Sequence, residues 1–476
     1  MCLGLVAGCG IDAVGTLPVS SPPQVDAGPP VVIEEAGAAD APLDAPEDVK
    51  PGGGYRVVGL GDGNDGVLDV TSDDVVNRYA AITGDVPAGS SVIPVGAVAP
   101  AGRQLKGGDL VLVWQTAAII APAPPNDSST LDLAASPIGR WELARLSGVT
   151  PTAVTLDVPT TLSFTSPGAQ LVHVREYTSV QISAGAKLTA VPWDGARGGI
   201  VAFLAIGTVT NLGEIDVVGA GFRAGLAKSV TVDGCTGPDG VPASGFARKG
   251  EGVAGYGGGG FGNRANGGGG GDCHNGGGAG GGNGGVGGHG GLSYDNGRDV
   301  GGRGGSPLSY SLVTRLTLGG GGGAGEGDDS DIPSGNPGGG AVFIRAGALA
   351  GAGTITANGA SSTQTSTDAG GGGGAGGSIY LRFKGAAACG GVSASGGDGG
   401  NTGNDNDGPG GGGGGGRVLL QAQSAACVTA VRAGKAGLTP VPDNRSATPA
   451  VGNEPGFVGI VEPKAGAYCP LCSDEP

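Results

Sequence analysis

The chain has 476 residues, of which 109 are glycine, and a formal net charge of −16. This charge argues against a nucleic-acid-binding protein, because a phosphate backbone requires a basic face, and it disfavours docking onto an anionic lipid surface. Glycine and proline reach about 30% of the chain without the strict three-residue period of collagen. The apolar 38% is arranged in strand-like segments, which predicts an all-β protein with two or three folded regions.

Residues 1–9 resemble a signal that ends in a bacterial lipobox. In Leu5–Cys9 a small residue precedes a cysteine, so we expect Cys9 to carry a lipid that is the chain's contact with a membrane. The basic and long apolar parts of a signal peptide are missing, which leaves a plain secreted protein as the alternative. Residues 10–54, rich in Pro, Ala, Asp and Glu, predict a disordered tether.

Residues 55–177 predict a small N-terminal β-sandwich or barrel. Short apolar runs alternate there with Gly, Pro and Asp, the spacing of an antiparallel all-β domain. Within this region Gly61–Gly66 (GDGNDG) resembles one turn of a calcium-binding nonapeptide repeat, but such sites need tandem copies, so we favour a turn. The apolar runs are Ser91–Val95, Leu110–Trp114, Trp141–Leu146, Ala153–Val158 and Gln170–Val174.

Residues 178–437 contain a repeat that predicts a glycine-rich β-solenoid. Each copy has two strands, and in the third copy Ile379, Leu381 and Phe383 alternate with Tyr380 and Arg382 on the opposite, outward face. A single copy cannot bury its apolar face, whereas stacked copies can. After a first partial copy, with Val180, Ile182, Leu188 and Ala190, four fuller copies follow: Gly198–Gly219, Gly339–Gly359, Gly376–Gly397 and Gly415–Gly434.

The glycine runs between the copies have two interpretations. Glycine loses more conformational entropy on ordering than any other residue, which favours floppy loops. Alternatively, runs such as Gly257–Gly291 and Gly319–Gly323 form polyglycine-II-type insertions, extended strands that pack side by side and bond through their backbones. Their sparse side chains would then point outward as a contact surface.

Six cysteines remain after the N-terminal pair, and an even number in an exported chain predicts disulfides. Cys389 and Cys427 occupy matching places in successive copies. Stacked strands lie about 4.8 Å apart, close to the Cα separation of a disulfide, so we expect a Cys389–Cys427 bridge. Cys235 and Cys273 flank one glycine-rich insertion and are expected to close it.

Residues 438–476 predict an irregular tail with a C-x-x-C motif. Cys469 and Cys472 have the spacing of half a zinc site without a second pair, so a local disulfide or a bond to another chain is favoured over zinc.

The chain is poor in catalytic combinations, and we predict no cofactor, no metal site and no enzymatic activity. His173 lies in an apolar strand and is expected to be structural, and His274 beside Cys273 does not make a metal site. The acidic loop clusters Asp328–Asp331 and Asp405–Asp407 are ambiguous.

Three segments carry a resemblance to a known family. GDLVLVWQT (Gly108–Thr116), GRWELARL (Gly139–Leu146) and Val191–Gly225 resemble glycine-rich surface proteins of myxobacteria and their relatives, some of them labelled adventurous gliding motility or PE-PGRS-like proteins. The similarity extends over residues 57–437. It implies an exported protein displayed at the outer membrane or cell surface, and it brings no catalytic residues.

Two functions compete at this point. The first is a structural or adhesive surface protein, lipid-anchored, that contacts cell-surface polysaccharide or other surface proteins and is linked to motility or matrix contact. The second is a β-solenoid lyase or hydrolase acting on glycans, which requires an acid–base pair or two carboxylates about 5–9.5 Å apart. The outward positions of the copies, with Arg345 and Arg382, offer no paired acids, which favours the first function.

Overall fold

The computed structural model describes residues 59–102, 104–118, 127–227, 247–292, 301–327, 333–404 and 407–440, together with 237, 456, 458–462, 466 and 468. Within these residues every strand or helix assigned is a β-strand, so the predicted all-β class is confirmed. The sheets are large and combine parallel with antiparallel pairing.

Most strands of residues 59–177 form the antiparallel part of a 13-stranded sheet. The two exceptions are Val67–Val70, which pairs in parallel with Ser179–Ile182, and Leu131–Asp132, which pairs in parallel with Leu308–Ser309 in a separate two-stranded sheet. Each of the five predicted apolar runs contains a strand, and Leu110–Gln115 is buried along its whole length, as the weak alternation of its sequence indicates. In chain order the strands are β1 (Val67–Val70), β2 (Tyr79–Ala81), β3 (Val92–Pro94), β4 (Leu110–Gln115), β5 (Leu131–Asp132), β6 (Trp141–Val149), β7 (Ala153–Leu156) and β8 (Ala169–Tyr177).

The remaining strands follow the predicted repeat. Each of the four fuller copies supplies one longer strand and one short strand. In chain order they are β9 (Ser179–Ile182), β10 (Lys187–Thr189), β11 (Ile200–Asn211), β12 (Glu214–Asp216), β13 (Leu308–Ser309), β14 (Ala341–Ala350), β15 (Thr354–Thr356), β16 (Thr365–Ser366), β17 (Ser378–Phe383), β18 (Gly391–Ser393), β19 (Asn401–Thr402), β20 (Arg417–Gln421), β21 (Thr429–Ala430) and β22 (Ile460–Glu462).

The longer strands pair in parallel, in the order β11, β14, β17 and β20, and β22 adds a further parallel strand at the end. Their register is that of the repeat, since Phe203 pairs with Ile344, Ile344 with Leu381, and Leu381 with Leu420. The short strands form a second parallel sheet in the order β10, β12, β15, β18 and β21. Aliphatic rows from both sheets make one continuous core, so these rows are aligned as the sequence predicts.

The two parts of the large sheet are joined through β8, which pairs with β4 on one side and with β11 on the other. The predicted boundary between residues 177 and 178 therefore falls within one hydrogen-bonded sheet. A second core crosses the same boundary, because Trp114 and Val172 pack in one cluster with Phe343 and Tyr380.

Of the outward positions of the repeat, Arg345, Arg382 and Gln421 are buried, whereas Lys384 and Gln423 are exposed. Arg345 and Arg382 are 2% and 1% exposed, where the alternation of the strands predicts solvent contact. Trp141 and the segment Leu308–Leu318 cover this face of the sheet, and Tyr468 packs over its arginines. The prediction of solvent contact was wrong for these arginines because alternation describes only neighbouring residues. It contains no information about distant parts of the chain that cover the sheet.

Candidate functional site: a glycine bundle

The long glycine runs come together in one bundle beside the sheets. We call it the glycine bundle and define it by the segments 266–271, 276–282, 285–291, 301–305, 319–325, 370–376 and 408–416. Nearly all residues in these segments are buried, and the segment 276–282 lies at the centre. The alternative of floppy loops therefore does not hold for these runs.

The central segment sends its N–H groups to three different neighbours in turn. Gly277 donates to the carbonyl of Gly291, Gly278 to that of Gly370, and Ala279 to that of Gly269, each at 2.9 Å. Three residues later the same three neighbours are used again, by Gly280, Gly281 and Gly282. The hydrogen bonding thus has a period of three residues, which is the number of residues per turn of a polyproline-II helix.

The carbonyl groups of the central segment reach three further neighbours. Gly302 donates to the carbonyl of Gly277, Gly411 to that of Gly278, and Gly323 to that of Ala279, at 2.8–2.9 Å. The segment therefore has six neighbours, and its backbone donors and acceptors are satisfied without a β-sheet ladder. This arrangement meets the requirement that buried backbone groups be paired.

The close approach of the backbones requires glycine. A Cβ on Gly278 would overlap the carbonyl oxygen of Gly323 and lie 2.6 Å from that of Ala324. A Cβ on Gly281 would likewise overlap the carbonyl oxygen of Gly320. Because these are backbone atoms held in hydrogen bonds on both sides, no side-chain rotation can relieve the overlap.

Buried polar side chains join the bundle to the segment Leu308–Leu318, which covers the large sheet. Asn283 follows the central segment, is fully buried, and donates from Nδ2 to the carbonyl of Gly376 at 2.9 Å. Its Oδ1 accepts hydrogen bonds from the hydroxyls of Tyr310 and Thr317, both at 3.0 Å. Burial raises the pKa of the Tyr310 phenol, which therefore remains a hydrogen-bond donor throughout the neutral range.

A ladder of side chains lies along the outer edge of the bundle. We call Asn358, Ser361, Ser395, Asp398 and Asn401 the polar ladder. Each accepts a hydrogen bond from the backbone N–H of the residue 37 positions later, in the next copy of the repeat. The donors lie 2.7–3.1 Å away.

The polar ladder ends on side chains that are basic or apolar. Its positions recur every three residues, as in the bundle itself. At the corresponding positions of the last copy stand the exposed side chains Arg432, Lys435 and Leu438. None of these three is a good acceptor, so the ladder does not continue onto a further copy. Small polar side chains therefore lie along this edge, and two basic side chains, Arg432 and Lys435, stand at its end.

The structure contains the expected Cys389–Cys427 disulfide, with Cα atoms 4.8 Å apart, the spacing of adjacent copies. Cys273 is also disulfide-bonded. Its expected partner Cys235 lies outside the described residues, as do Cys9, Cys469 and Cys472, so those assignments stay predictions.

The calcium-like sequence Gly61–Gly66 is a turn whose carboxylates contact arginines. Asp62 lies 3.5 Å from Arg145, which also makes a two-point ion pair with Glu176, at 2.7 and 2.9 Å. Asp65 lies 2.8 Å from Arg175. These acids are neutralised by cations of the protein, which supports a structural turn over a calcium site.

The histidines and the acidic clusters are spread over the molecule. His173 is buried in β8 with Nε2 3.7 Å from Asp109, and the Nδ1 atom of His289 accepts the N–H of Gly304 at 2.9 Å. Asp407 is buried and accepts a hydrogen bond from Asn275 at 3.0 Å. Asp328, Asp329, Asp331 and Asp405 lie outside the described residues.

Within the described ranges, no three His, Cys, Asp or Glu side chains come together in a way that could hold a metal ion. In the same part of the chain no helix has the length and apolarity needed to cross a membrane.

Comparisons with protein-family models, with curated proteins and with solved structures found no match to this chain.

The polar ladder was not predicted from the sequence. The sequence does contain a signal for it, because Asn, Ser or Asp stands at positions 358, 361, 395 and 398. These positions are three residues apart within one copy of the repeat and 37 residues apart between successive copies. The alternation of a β-strand does not indicate these positions, since they recur every three residues and not every two.

Proposed function

We propose that this protein is a non-enzymatic, exported cell-surface protein with a structural or adhesive role. The observation that carries the proposal is the glycine bundle, in which seven glycine-rich segments are held together by backbone hydrogen bonds. Such an interior has no side chains with which to act on a substrate. Its rigidity suits a scaffold that holds an exposed edge in a fixed position.

We interpret the two stacks of parallel strands as the coils of a β-solenoid, and the glycine bundle as polyglycine-II strands attached to its side. The 37-residue interval between hydrogen-bonded positions of successive copies supports the solenoid. The three-residue period and the six neighbours of the central segment support the polyglycine-II interpretation.

The proposed attachment is a lipid on Cys9, with residues 10–54 as a tether. The proposed contact surface is the polar ladder and its basic end at Arg432 and Lys435, which suits hydrogen bonding to polysaccharide or to other surface proteins. The resemblance to glycine-rich myxobacterial surface proteins extends this proposal to motility or matrix contact.

Display and anchoring are tested in one experiment on intact bacterial cells expressing the chain. Protease added outside should cleave the protein before lysis, and Cys9→Ser should move it from the membrane fraction to the soluble fraction. Cys2→Ser is the matched control, since it removes a cysteine seven residues away and should leave the membrane fraction unchanged. Protection from protease until lysis would contradict surface display, and a membrane-bound Cys9→Ser variant would contradict the lipid anchor.

The adhesive role is tested with the purified protein and a panel of acidic and neutral polysaccharides. We expect retention without cleavage, reduced in an R432A/K435A variant and unchanged in K384A, which removes an exposed lysine outside the polar ladder. Depolymerisation of any polysaccharide would favour the glycan-active enzyme instead.

A further inference from the structure

Two exposed cations stand three residues apart at the end of the polar ladder. Among the described residues four lysine or arginine side chains are exposed, and two of them, Lys106 and Lys384, lie in other parts of the chain. The other two are Arg432 and Lys435, the basic end of the ladder. We call residues 432–438, which carry this pair, the last arm.

The backbone of the last arm is held on both sides, so the interval between the two cations is fixed. The N–H of Arg432 donates to Oγ of Ser395 at 3.1 Å, and that of Lys435 donates to Oδ1 of Asp398 at 2.8 Å. The carbonyl groups of Arg432 and Lys435 accept N–H groups of the preceding copy, each at 2.9 Å. A three-residue repeat of hydrogen bonds is that of polyproline II, in which three residues advance the chain by about 9 Å. Both side chains therefore leave the same side of the last arm, at about this interval.

The charges of the basic end are not neutralised by the protein. Within the described part of the chain neither Arg432 nor Lys435 takes part in an ion pair, whereas Arg175 and Lys187 contact carboxylates at 2.8 and 2.6 Å. The carboxylate of Asp398 accepts the backbone N–H of Lys435 instead. Exposed guanidinium and ammonium groups bind carboxylate or sulfate groups through charge-assisted hydrogen bonds.

The polar ladder itself uses acceptors within the protein. Oδ1 of Asn358 accepts hydrogen bonds from the N–H of Ser395 and from the hydroxyl of Ser393, both at 2.7 Å. Oδ1 of Asn401 accepts the N–H of Leu438 at 2.9 Å. Because these bonds join successive copies of the repeat, the charges of the basic end, rather than the ladder, distinguish one ligand from another.

We propose that the basic end binds acidic polysaccharide in preference to neutral polysaccharide. This inference rests on the proposed adhesive role and names the class of ligand for it. A linear polymer with regularly spaced anions can contact both cations along the extended last arm. A protein partner suits the site less well, because protein interfaces are built around a well-packed apolar centre, and in this row only Leu438 is apolar.

The acidic balance of the chain restricts such binding to this end. The formal net charge is −16, so most of the surface repels an anionic polymer. At physiological ionic strength charges more than about 8 Å apart are largely screened, and the two cations then act on anions beside them. The polymer is therefore held at the end of the polar ladder and does not coat the molecule.

The test measures dissociation constants of the full chain for hyaluronate, dextran and poly-glutamate as acidic, neutral and polypeptide probes. R432A/K435A removes two positive charges from the basic end, and K106A/K384A removes the other two exposed ones, so the two variants have equal net charge. We expect the first variant to bind hyaluronate about tenfold more weakly, as the loss of two exposed ion pairs predicts. The second variant should bind it as the unsubstituted chain does.

The outcomes separate this inference from the proposed function. Equal affinity for hyaluronate and dextran, or an equal loss in the two variants, would overturn the preference for acidic polysaccharide and leave the adhesive role in place. Binding of poly-glutamate without binding of hyaluronate would overturn it in favour of an acidic protein. If no polysaccharide is bound, the adhesive role and the inference both fail. R432K/K435R, which keeps both charges, should retain the affinity for hyaluronate, and its loss would show that charge is not what the site uses.

Discussion

At the scale of single residues, the glycine bundle depends on the absence of a side chain. Overpacking a protein core by one or a few methylenes usually costs about 1–3 kcal/mol, because neighbouring side chains can shift. In the bundle the neighbour of Gly278 is the carbonyl oxygen of Gly323, which is part of the hydrogen-bonded backbone. A methyl group at Gly278 must therefore push the segments 276–282 and 319–325 apart, because no side chain is present that could change its rotamer to make room.

We therefore expect Gly278→Ala to lower the free energy of unfolding by about 3 kcal/mol or more, at or above the upper end of the overpacking range. Gly391→Ala is the matched control, since the nearest atom to its added Cβ, the carbonyl oxygen of Val428, is 3.7 Å away. That substitution should change stability by less than about 1 kcal/mol, and in the stabilising direction if it reduces the entropy of the unfolded chain. Urea unfolding of both variants measures the difference, and equal stabilities would contradict the close packing of the bundle.

At the scale of elements, the Cys389–Cys427 disulfide fixes two adjacent copies of the repeat. The bond joins residues 38 positions apart, and Cys389 is almost fully buried. It lies between the long and the short strand of each copy, next to the parallel bridge that pairs Ala387 with Ala425.

We expect the C389A/C427A variant to be less stable by about 4 kcal/mol, the loop-closure entropy for a loop of this length. Thermal or urea unfolding under oxidising conditions checks this value, since other disulfides are then left intact. Local hydrogen exchange should rise first in β18 and β21, the short strands next to the bond. Exchange that rises equally in the antiparallel strands β4 and β6 would contradict a local role.

The same elements show what the sequence can and cannot predict. The strands of the copies and the disulfide follow from alternation and from matching positions, because both are properties of neighbouring residues. The burial of Arg345 depends on Trp141 and Tyr468, which are distant in the chain, so no local pattern encodes it. The partners of each glycine segment were also not predictable, because runs of glycine are alike in sequence and differ only in where the adjoining strands place them.

At the scale of the whole molecule, the bundle ties together segments that are far apart in sequence. Segment 276–282 bonds to segments 266–271, 319–325, 370–376 and 408–416. Such non-local contacts form and break together, so the bundle is expected to open only when much of the molecule unfolds.

We therefore expect the amides of Gly277–Gly282 to exchange with solvent only through global unfolding. Their protection should correspond to the full free energy of unfolding measured with denaturant, whereas the amide of the exposed Gly102 should exchange rapidly. Hydrogen exchange followed by mass spectrometry or NMR makes the comparison. Rapid exchange throughout the glycine runs would contradict an ordered bundle.

The order of the segments along the chain also constrains how the protein is made. The central segment leaves the ribosome well over 100 residues before segment 408–416, which completes its ring of neighbours. At the usual 5–20 residues per second of synthesis, this is a delay on the order of ten seconds. During that interval we expect the central segment to lack the hydrogen bond that Gly411 donates to Gly278 in the complete bundle. The last-made copy therefore completes the first-made glycine segment, and we expect a nascent chain that stalls before residue 408 to be cleaved by proteases in its glycine runs more readily than the full chain.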